Sequence, residues 1–503
     1  MPQSAHALGR ADRLILECLN GTSRMLEPLP QTFGYLLPSA LTHDNTGPNE
    51  VTGSLTRQQI VDALIALADS MLSEENMQGP ADAGMTFFGQ FIDHDITFDV
   101  TSAIGTKIDP RTVPNVRTPG LDLDCVYGAG PDATPHLYHP GRKGTLLFGR
   151  QANPNDLARN ALGTALIGDP RNDENILISQ VQGAFIQFHN IIMSGMAAGG
   201  AMARDVHDCA TMGVRSAVWQ DEVPPNKADF EKARRFVRLH YQWLVVNDLL
   251  PQFVTERCLK AAHDGYVFFG DKGAVLPVEF SGACYRFGHA TVQHRYKLRH
   301  GTADVDLFAM TGGKPRGPEH DIEFAQFFGT GAQKARPVGT KMARTLMQLP
   351  DGIVGEGLKW IDVDIPLAQA KKLNLRNMLR DRTALRCASG QQVAAWLAVH
   401  APGFGAVVRQ APQVLRDRHI SKTPLWFYAL EEADAAGGKL DGAGGAIVAS
   451  VILRLLRLDP ESVLNTSFKP WSGFGAQFSF RALTDWIAAN KPLIANPSEL
   501  FSG

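Results

Sequence analysis

The sequence has 503 residues, with 49 lysines and arginines against 51 aspartates and glutamates, so its formal net charge is −2. Hydrophobic residues make up 44% of the chain and charged residues 20%, which is usual for a globular protein. The near balance of charge argues against nucleic acid or an anionic membrane as the main partner. Six scattered cysteines without a CxxC pair indicate neither a zinc site nor a disulfide framework.

The N-terminal residues 1–30 contain only the short apolar run 14–16, so no signal peptide is expected. Elsewhere the longest apolar candidate, 445–455, is too short to span a bilayer and contains Arg454. We therefore expect a protein without a membrane span that is cytoplasmic or exported without a leader. Its predicted organisation is an N-terminal extension over 1–30 and one domain over 31–503, and the oligomeric state is not indicated.

Helical periodicity dominates when the elements are taken in chain order. Residues 57–73 form one apolar stripe, and Thr56 with Gln59 predicts a capping box in front of it. Further helices are predicted at 84–99, 177–196, 227–250, 391–399, 443–457 and 480–489. Alternation typical of a strand is confined to short pieces such as 275–280. Long connectors rich in glycine, proline and aspartate lie at 28–54, 100–160, 299–345 and 400–413. The sequence predicts a mainly α protein: a single large helical domain with long connecting loops and very little β structure.

The segment GMTFFGQFIDHDITFD, residues 84–99, concentrates polar groups in an apolar stretch. On a helix Gln90 and His94 share a face because they are four residues apart, and Asp93 and Asp95 flank the histidine. Ionisable groups among phenylalanines are costly unless they are paired or liganded. The alternative is a structural histidine beside two solvated carboxylates.

FGQFIDHDITF resembles the distal-helix motif of the animal-type haem peroxidases of the peroxidase–cyclooxygenase superfamily, in a bacterial-looking version. The resemblance implies that His94 is the distal acid–base catalyst and Gln90 its polar neighbour. It further implies that Asp93 forms an ester link to a haem methyl group and that Asp95 binds calcium.

The segment GDPRNDEN, residues 168–175, is similar to the arginine segment of the same family. Arg171 then takes the place of the distal arginine, and Glu174 that of the second ester-forming carboxylate. Asn175 stands where the most strongly oxidising relative has a methionine link, so at most two ester links are expected. An ordinary surface ion pair is the alternative for an arginine and a glutamate three residues apart.

RFGH, residues 286–289, resembles the proximal motif and implies that His289 is the axial ligand of the haem iron. NMLRDR, residues 377–382, resembles the segment that supports this histidine. By that resemblance Asn377 bonds the far nitrogen of His289, while Arg286 and Arg380 approach the haem propionates. A packed histidine and a solvated arginine face are the alternatives.

The loop TPGLDLDCVYG, residues 118–128, resembles the calcium loop of the family, with a cysteine at position 125. Calcium takes six to eight oxygen ligands from carboxylates, hydroxyls and carbonyls. The implied protein ligands are Thr118, Gly120, Asp122 and Asp124, together with Asp95. A turn with two exposed aspartates is the alternative.

Together the motifs imply a peroxidase with Ca²⁺ and with haem b that carries at most two ester links, through Asp93 and Glu174. It would reduce H2O2, forming a ferryl intermediate, and oxidise a small electron donor such as a halide, thiocyanate or a phenol, in a response to oxidative stress. His94 would take the proton from peroxide and return it to the departing oxygen. Arg171 would stabilise the leaving hydroxide.

Two other functions remain open. A fatty-acid dioxygenase of the same superfamily needs a tyrosyl radical three residues before the proximal histidine. That position is Arg286 here, and Tyr285 is expected to point elsewhere. The second is a non-catalytic haem-binding or adhesion protein, against which the complete Gln90, His94 and Arg171 set argues.

Overall fold

The computed structural model describes residues 33–37, 55–73, 76–97, 115, 120–211, 225–265, 276–350, 354, 358–360 and 362–491. Its α-helices, numbered in chain order over these residues, are α1 (Arg57–Ser70), α2 (Ala83–Ile96), α3 (Asp124–Tyr127), α4 (Gly130–Ala133), α5 (Ile176–Ala198), α6 (Gly200–Thr211), α7 (Pro225–Leu244), α8 (Leu250–Phe253), α9 (Glu256–Asp264), α10 (Leu367–Ala370), α11 (Leu373–Leu379), α12 (Gly390–His400), α13 (Gln413–Arg416), α14 (Leu425–Ala435), α15 (Gly442–Leu458) and α16 (Phe480–Asn490).

The β structure of the described residues is limited to three two-stranded ribbons. The strands are β1 (Leu72–Ser73), β2 (Arg295–Lys297), β3 (Asp304–Asp306), β4 (Met342–Ala343), β5 (Leu358–Trp360) and β6 (Val363–Ile365). β1 pairs with β4 in parallel, and β2 with β3 and β5 with β6 are antiparallel. The predicted class, a mainly α domain with long connections and very little β, is confirmed.

Short 3-10 and π helices occupy many of the connections. The 3-10 helices are Pro135–Leu137, Pro170–Asp173, Cys284–Thr291, Leu307–Met310, Pro318–His320, Phe324–Gln326, Arg344–Met347, Pro402–Phe404 and Ser472–Phe474. The π helices are Val245–Leu249, Glu279–Ala283 and Arg380–Ala384. Two of these short elements, Pro170–Asp173 and Cys284–Thr291, carry residues of the candidate site.

Helix α1 shows how closely local sequence determines an element. It has the predicted capping box, in which the Thr56 hydroxyl accepts from the backbone of Gln59 at 3.2 Å and the Gln59 side chain accepts from the backbone of Thr56 at 2.8 Å. The strand predicted at 275–280 is wrong. Pro277 forms only an isolated bridge with Gly34, because proline has no N–H to continue a ladder.

Helix α2 lies in the core of the molecule and carries the FGQFIDHDITF motif. The ring of Phe91 stacks on Phe185 of α5 with centroids 5.0 Å apart, and Phe88 packs against Phe480 of α16 at 4.9 Å. Tyr241 of α7 contacts both phenylalanines edge-on. The ionisable side chains of α2 are therefore held inside a packed interior, where each needs a partner.

The predicted division into 1–30 and 31–503 stays a prediction, since residues 1–32 lie outside the described part of the chain. Within the described residues, no helix combines the length and the apolar character that crossing a membrane requires.

Candidate active site

A cavity of about 530 Å³ separates the face of α2 that bears Gln90 and Asp93 from the 3-10 helix that bears His289. Its volume is within the range of roughly 300–1,000 Å³ that is typical of cofactor sites. The remaining wall is mainly apolar and includes Met85, Phe87, Phe253, Phe287, Val292, Leu307, Phe308, Leu346 and Leu373. Its shape and lining suit a large planar apolar group that is held at a few polar points.

Two hydrogen bonds join the opposing sides at the edge of the cavity. The Tyr285 hydroxyl donates to the backbone carbonyl of Gly89 at 3.2 Å. The hydroxyls of Thr86 and Thr291 lie 2.8 Å apart. These contacts fix the spacing of the two sides, so the width of the cavity is set by the folded chain itself.

The proximal side pairs His289 with Asn377 of α11, whose side-chain amide lies 2.8 Å from the imidazole Nδ1. Asn377 is buried, and its Oδ1 has no hydrogen-bond partner among the described residues. A half-turn of the amide places this oxygen against Nδ1, where it accepts the ring N–H. Nε2 then keeps its lone pair for a metal, so the pair fits an axial ligand of haem iron.

Electrostatics keep His289 neutral. Burial, with further effects from Arg286 and Arg380, lowers the pKa of His289 to about 3. Arg286 lines the cavity beside it. A metal-binding imidazole must be unprotonated at the ligating nitrogen, and this surrounding ensures that it is.

On the distal side Gln90 joins two residues of the GDPRNDEN segment. Its Nε2 donates to the Glu174 carboxylate, and its Oε1 accepts from Asn175 Nδ2 at 3.4 Å. Burial raises the pKa of Glu174 to about 7, although its side chain is open to the cavity. Asp93 lies on the same wall and accepts from the Thr97 hydroxyl at 3.1 Å. The structure thus brings both carboxylates that are predicted to form ester links to one cavity.

His94 is buried just behind this wall, in the helical turn that begins at Gln90. Its Nδ1 lies 2.7 Å from Oδ1 of Asn172. Burial, followed by the charge of Arg171, lowers the pKa of His94 to about 4. The ring is therefore neutral near pH 7, as a proton acceptor must be.

Arg171 differs from the sequence prediction in its orientation. Its guanidinium pairs with Asp169 at 2.8 Å and donates to the backbone carbonyls of His94 and Thr97 at 3.1 and 2.6 Å. Asp169 is fully buried and requires a cation, and carbonyls at a helix C-terminus require donors. Arg171 meets both needs and does not line the cavity.

The loop 120–128 meets Asp95 as expected. One carboxylate oxygen accepts from the backbone N–H of Leu123 and from the Tyr241 hydroxyl, both at 3.1 Å, and the other from Cys125 N at 3.5 Å. Burial, and after it the charge of Asp124, raise the pKa of Asp95 well above its usual range. Two buried acids beside one another are a setting that a bound cation stabilises.

The described residues contain no group of three or more His, Cys, Asp or Glu side chains arranged to hold a metal. Asp95 is engaged by backbone N–H groups, while Gly120 and Asp122 lie at the start of the same loop. Thr118 lies outside the described residues. The calcium site stays a prediction.

Two residues of the site are not evident from the sequence. The expectation that Tyr285 points elsewhere is wrong, because its side chain lines the cavity on the same side as His289. The Tyr285 side chain reaches across to the distal helix, where its hydroxyl donates to the Gly89 carbonyl at the edge of the cavity. Asn172 gives no signal beyond its place next to Arg171.

Known proteins resemble this chain in part of its sequence and in its fold. The family model described as animal haem peroxidase matches residues 101–309, which include Arg171, Glu174 and His289. The matched range leaves out α2 and Asn377. No curated protein matches the chain.

Among solved structures, peroxidase A from Dictyostelium discoideum is similar with a TM-score of 0.56 at 12% identity, over 91% of this chain and 93% of that one. The fatty acid alpha-dioxygenase of Oryza sativa gives 0.52 at 14% identity, over 85% and 76%. That of Arabidopsis thaliana gives 0.52 at 15%, over 87% and 75%. The family match supports the resemblance to animal haem peroxidases over residues 101–309, and the solved structures show that the fold is shared.

Proposed function

We propose that this chain, whose residues 101–309 match the animal haem peroxidase family, is a haem peroxidase that reduces H2O2 and oxidises a small donor. A halide, thiocyanate or a phenol is the class of donor that we propose. The single observation that supports this most is the cavity, which has the His289–Asn377 pair at one side and the helix of Gln90 and His94 at the other.

His289 and Asn377 would hold a haem b group from the proximal side, and Arg286 and Arg380, whose charges act on His289, would pair with its propionates. When bound, haem would supply an iron that receives the peroxide oxygen and stores oxidising equivalents. The acceptor at Nδ1 of His289 orients the ring and increases its basicity.

His94 would move the proton. It is neutral and buried, so it can accept a proton from the peroxide and return it to the departing oxygen. Arg171, which does not line the cavity, would act indirectly. It donates to carbonyls at the C-terminal end of α2, and its charge helps to keep His94 unprotonated. Gln90, bonded to Glu174 and Asn175, would keep the cavity wall polar where peroxide enters.

Asp93 and Glu174 would form up to two ester links to the haem periphery. Both line the cavity, and the raised pKa of Glu174 leaves part of this carboxyl protonated near neutral pH. Extraction of the peroxide-treated protein with acidified acetone tests the links. Haem that stays with the wild type but is extracted from an Asp93→Ala, Glu174→Ala double variant supports them, and free extraction from peroxide-treated wild type contradicts them.

Calcium at Asp95, with ligands from the loop 118–128, is the second cofactor that we propose. It would relieve the repulsion between Asp95 and Asp124 and fix the helix that carries His94. Elemental analysis of the dialysed protein tests this, and about one calcium per chain is expected. A chain that keeps its distal helix and its peroxide reactivity with no calcium contradicts the proposal.

The deciding experiment is an absorption spectrum of the purified protein, recorded before and after rapid mixing with H2O2. We expect a Soret band that changes within the mixing time. His94→Ala keeps the band and reacts roughly 10²–10⁴-fold more slowly, because the proton carrier is lost. The exposed His400 provides the control, His400→Ala. An unchanged wild-type spectrum would indicate the non-catalytic alternative.

One observation favours a second candidate, a haem-dependent fatty-acid dioxygenase. Tyr285 lines the apolar cavity beside the proximal histidine, where an oxidised tyrosine could reach a bound acyl chain. Oxygen uptake with a long-chain fatty acid separates the two functions. Uptake that is comparable with peroxide turnover, and that Tyr285→Phe abolishes, would replace the peroxidase assignment.

A further inference from the structure

We propose that Asn172 and Gln182 are positioning residues that fix the tautomer of His94, with the proton on Nδ1 and the lone pair on Nε2. This rests on the proposed function only for its consequence, the direction of proton transfer. The hydrogen-bond pattern that supports it is a property of the chain itself.

The pattern starts at a group with only one possible role. The backbone carbonyl of Cys125, in α3, can only accept a hydrogen bond. Gln182 of α5 places its Nε2 3.2 Å from this oxygen, so Nε2 donates. The other end of the amide, Oε1, must therefore face away from Cys125 and accept.

The next amide is oriented by the first. Asn172 Nδ2 donates to Gln182 Oε1 at 2.8 Å. This leaves Asn172 Oδ1, an acceptor, directed at His94 Nδ1 at 2.7 Å. Two acceptors cannot share a hydrogen bond, so Nδ1 of His94 must carry the proton. In neutral imidazole Nε2 is then unprotonated.

Burial makes the reversed arrangement costly. Asn172 and Gln182 are fully buried and His94 nearly so. Turning Gln182 would set its oxygen against the Cys125 carbonyl and its N–H group against that of Asn172, and turning Asn172 would set its oxygen against Gln182 Oε1. Each lost hydrogen bond costs about 1–3 kcal/mol in a buried site. Asn172 is held further by its backbone N–H, which donates to the Asp169 carbonyl at 3.0 Å.

The tautomer determines which ring nitrogen of His94 can accept a proton. Among the described residues Nε2 of His94 makes no hydrogen bond, so it is the ring atom left for a substrate. The peroxide O–H proton passes to Nε2 while the Nδ1 proton stays in its hydrogen bond to Asn172, and the same Nε2–H later protonates the departing oxygen. With the opposite tautomer, Nε2 would begin protonated and could not accept.

The test is the ring tautomer itself, read by two-bond ¹H–¹⁵N correlation on protein labelled with ¹⁵N-histidine. The protein is used as purified, reduced and saturated with carbon monoxide so that any bound haem iron is diamagnetic. A His94→Gln spectrum identifies the His94 signals. We expect wild type to show a protonated Nδ1 and an unprotonated Nε2.

Three variants separate positioning from folding. Asn172→Leu removes the acceptor, and Asn172→Asp keeps it. Asn190→Leu removes an equally buried amide that bonds only the backbone of Leu146. In Asn172→Leu we expect the proton of His94 to be no longer confined to Nδ1. In Asn172→Asp and in the control we expect it to stay on Nδ1, as in wild type. Gln182→Met should partly remove the preference of the proton for Nδ1, and it provides this test even if Asn172→Leu fails to fold.

A second measurement is the rate of cyanide binding, in which HCN must give its proton to Nε2. We expect this rate to fall roughly 10–100-fold in Asn172→Leu and to recover in Asn172→Asp. A wild-type His94 protonated on Nε2, or a tautomer unchanged in both Asn172→Leu and Gln182→Met, would overturn the proposal. Wild type with the expected tautomer but no reaction with peroxide would instead contradict the proposed function.

Discussion

Single hydrogen-bond partners decide what the two histidines can do. His289 and His94 are both neutral because of their buried surroundings, yet each meets a different amide at Nδ1, Asn377 on one side and Asn172 on the other. Asn172 presents its amide oxygen to Nδ1 of His94, and Asn377 does the same to His289 once its amide is rotated by a half-turn, which leaves Nε2 as the reactive atom in both rings. The same kind of hydrogen bond would thus support the proposed metal ligand at one side and the proposed proton carrier at the other.

At the residue scale we expect Asn377→Leu to raise the reduction potential of the bound haem and to weaken haem binding roughly 10–100-fold, because His289 loses its acceptor. Potentiometric titration and haem transfer to apomyoglobin measure these. Asn374→Leu is the control, since Asn374 is buried in the same helix but donates to the carbonyl of Ala68. An unchanged potential in Asn377→Leu would show that the amide does not act on the ring.

The sequence predicts one of these amides and not the other. Asn377 belongs to NMLRDR, which resembles the family segment that supports the proximal histidine, so its pairing with His289 follows from resemblance. Asn172 is a polar residue between Arg171 and Asp173, and only the three-dimensional approach of two segments shows its partner. The orientation of Arg171 cannot be predicted from the sequence for the same reason. Only the fold shows that Asp169 is buried and requires a cation beside it.

The elements around α2 meet at very short distances. Segment 168–175 passes so close to the loop 120–128 that a Cβ on Gly168 would lie 2.5 Å from the Asp124 carbonyl. Backbone atoms cannot move away as a flexible side chain can. This contact keeps Asn172 and Arg171 at the end of α2.

At the element scale we expect Gly168→Ala to lower the free energy of unfolding by about 1–3 kcal/mol, because the new methyl group overlaps backbone. Urea denaturation followed by far-UV circular dichroism measures this. Gly265→Ala serves as the control, since a Cβ there meets nothing within 4 Å. Equal stability of the two variants would mean that the loop and the segment separate freely.

Helices are predictable from sequence where one face is polar, as in α1. Helix α14 is not, because residues such as Leu425, Trp426 and Glu432 are buried on nearly all its sides, so no periodic polar face remains. At 275–280 the alternation suggests a strand, but the chain turns into a π helix at Glu279–Ala283. Tertiary packing decides such short segments.

Several buried acids make the stability of the folded chain depend on pH. Burial raises the pKa of Glu279 from 4.5 to about 7, although its carboxylate accepts from the backbone of Leu36 at 3.0 Å. Asp381 and Glu432 are also raised in pKa to about 7 by burial. Each acid is protonated more readily in the folded than in the unfolded chain.

At the scale of the molecule we therefore expect the contribution of Glu279 to the free energy of unfolding to fall as pH rises from about 4.5 to about 7, and to level off above. Well below pH 4.5 Glu279 is neutral in both states, and well above pH 7 it is charged in both. Glu279→Gln should remove up to about 3 kcal/mol of this decline. Denaturation at several pH values measures it, with the exposed Glu319→Gln as control. Parallel profiles for wild type and Glu279→Gln would contradict the expectation.

The most direct measurement of the central claim, that His289 binds haem iron in this cavity, is the iron–histidine stretching band in the resonance Raman spectrum of the ferrous protein. We predict that wild type shows the band, that His289→Gly loses it, and that added imidazole restores a shifted band by occupying the space of the missing ring. A band that is unchanged in His289→Gly, or a purified wild-type protein whose spectrum shows no histidine-bound iron at all after haem reconstitution, would contradict the claim.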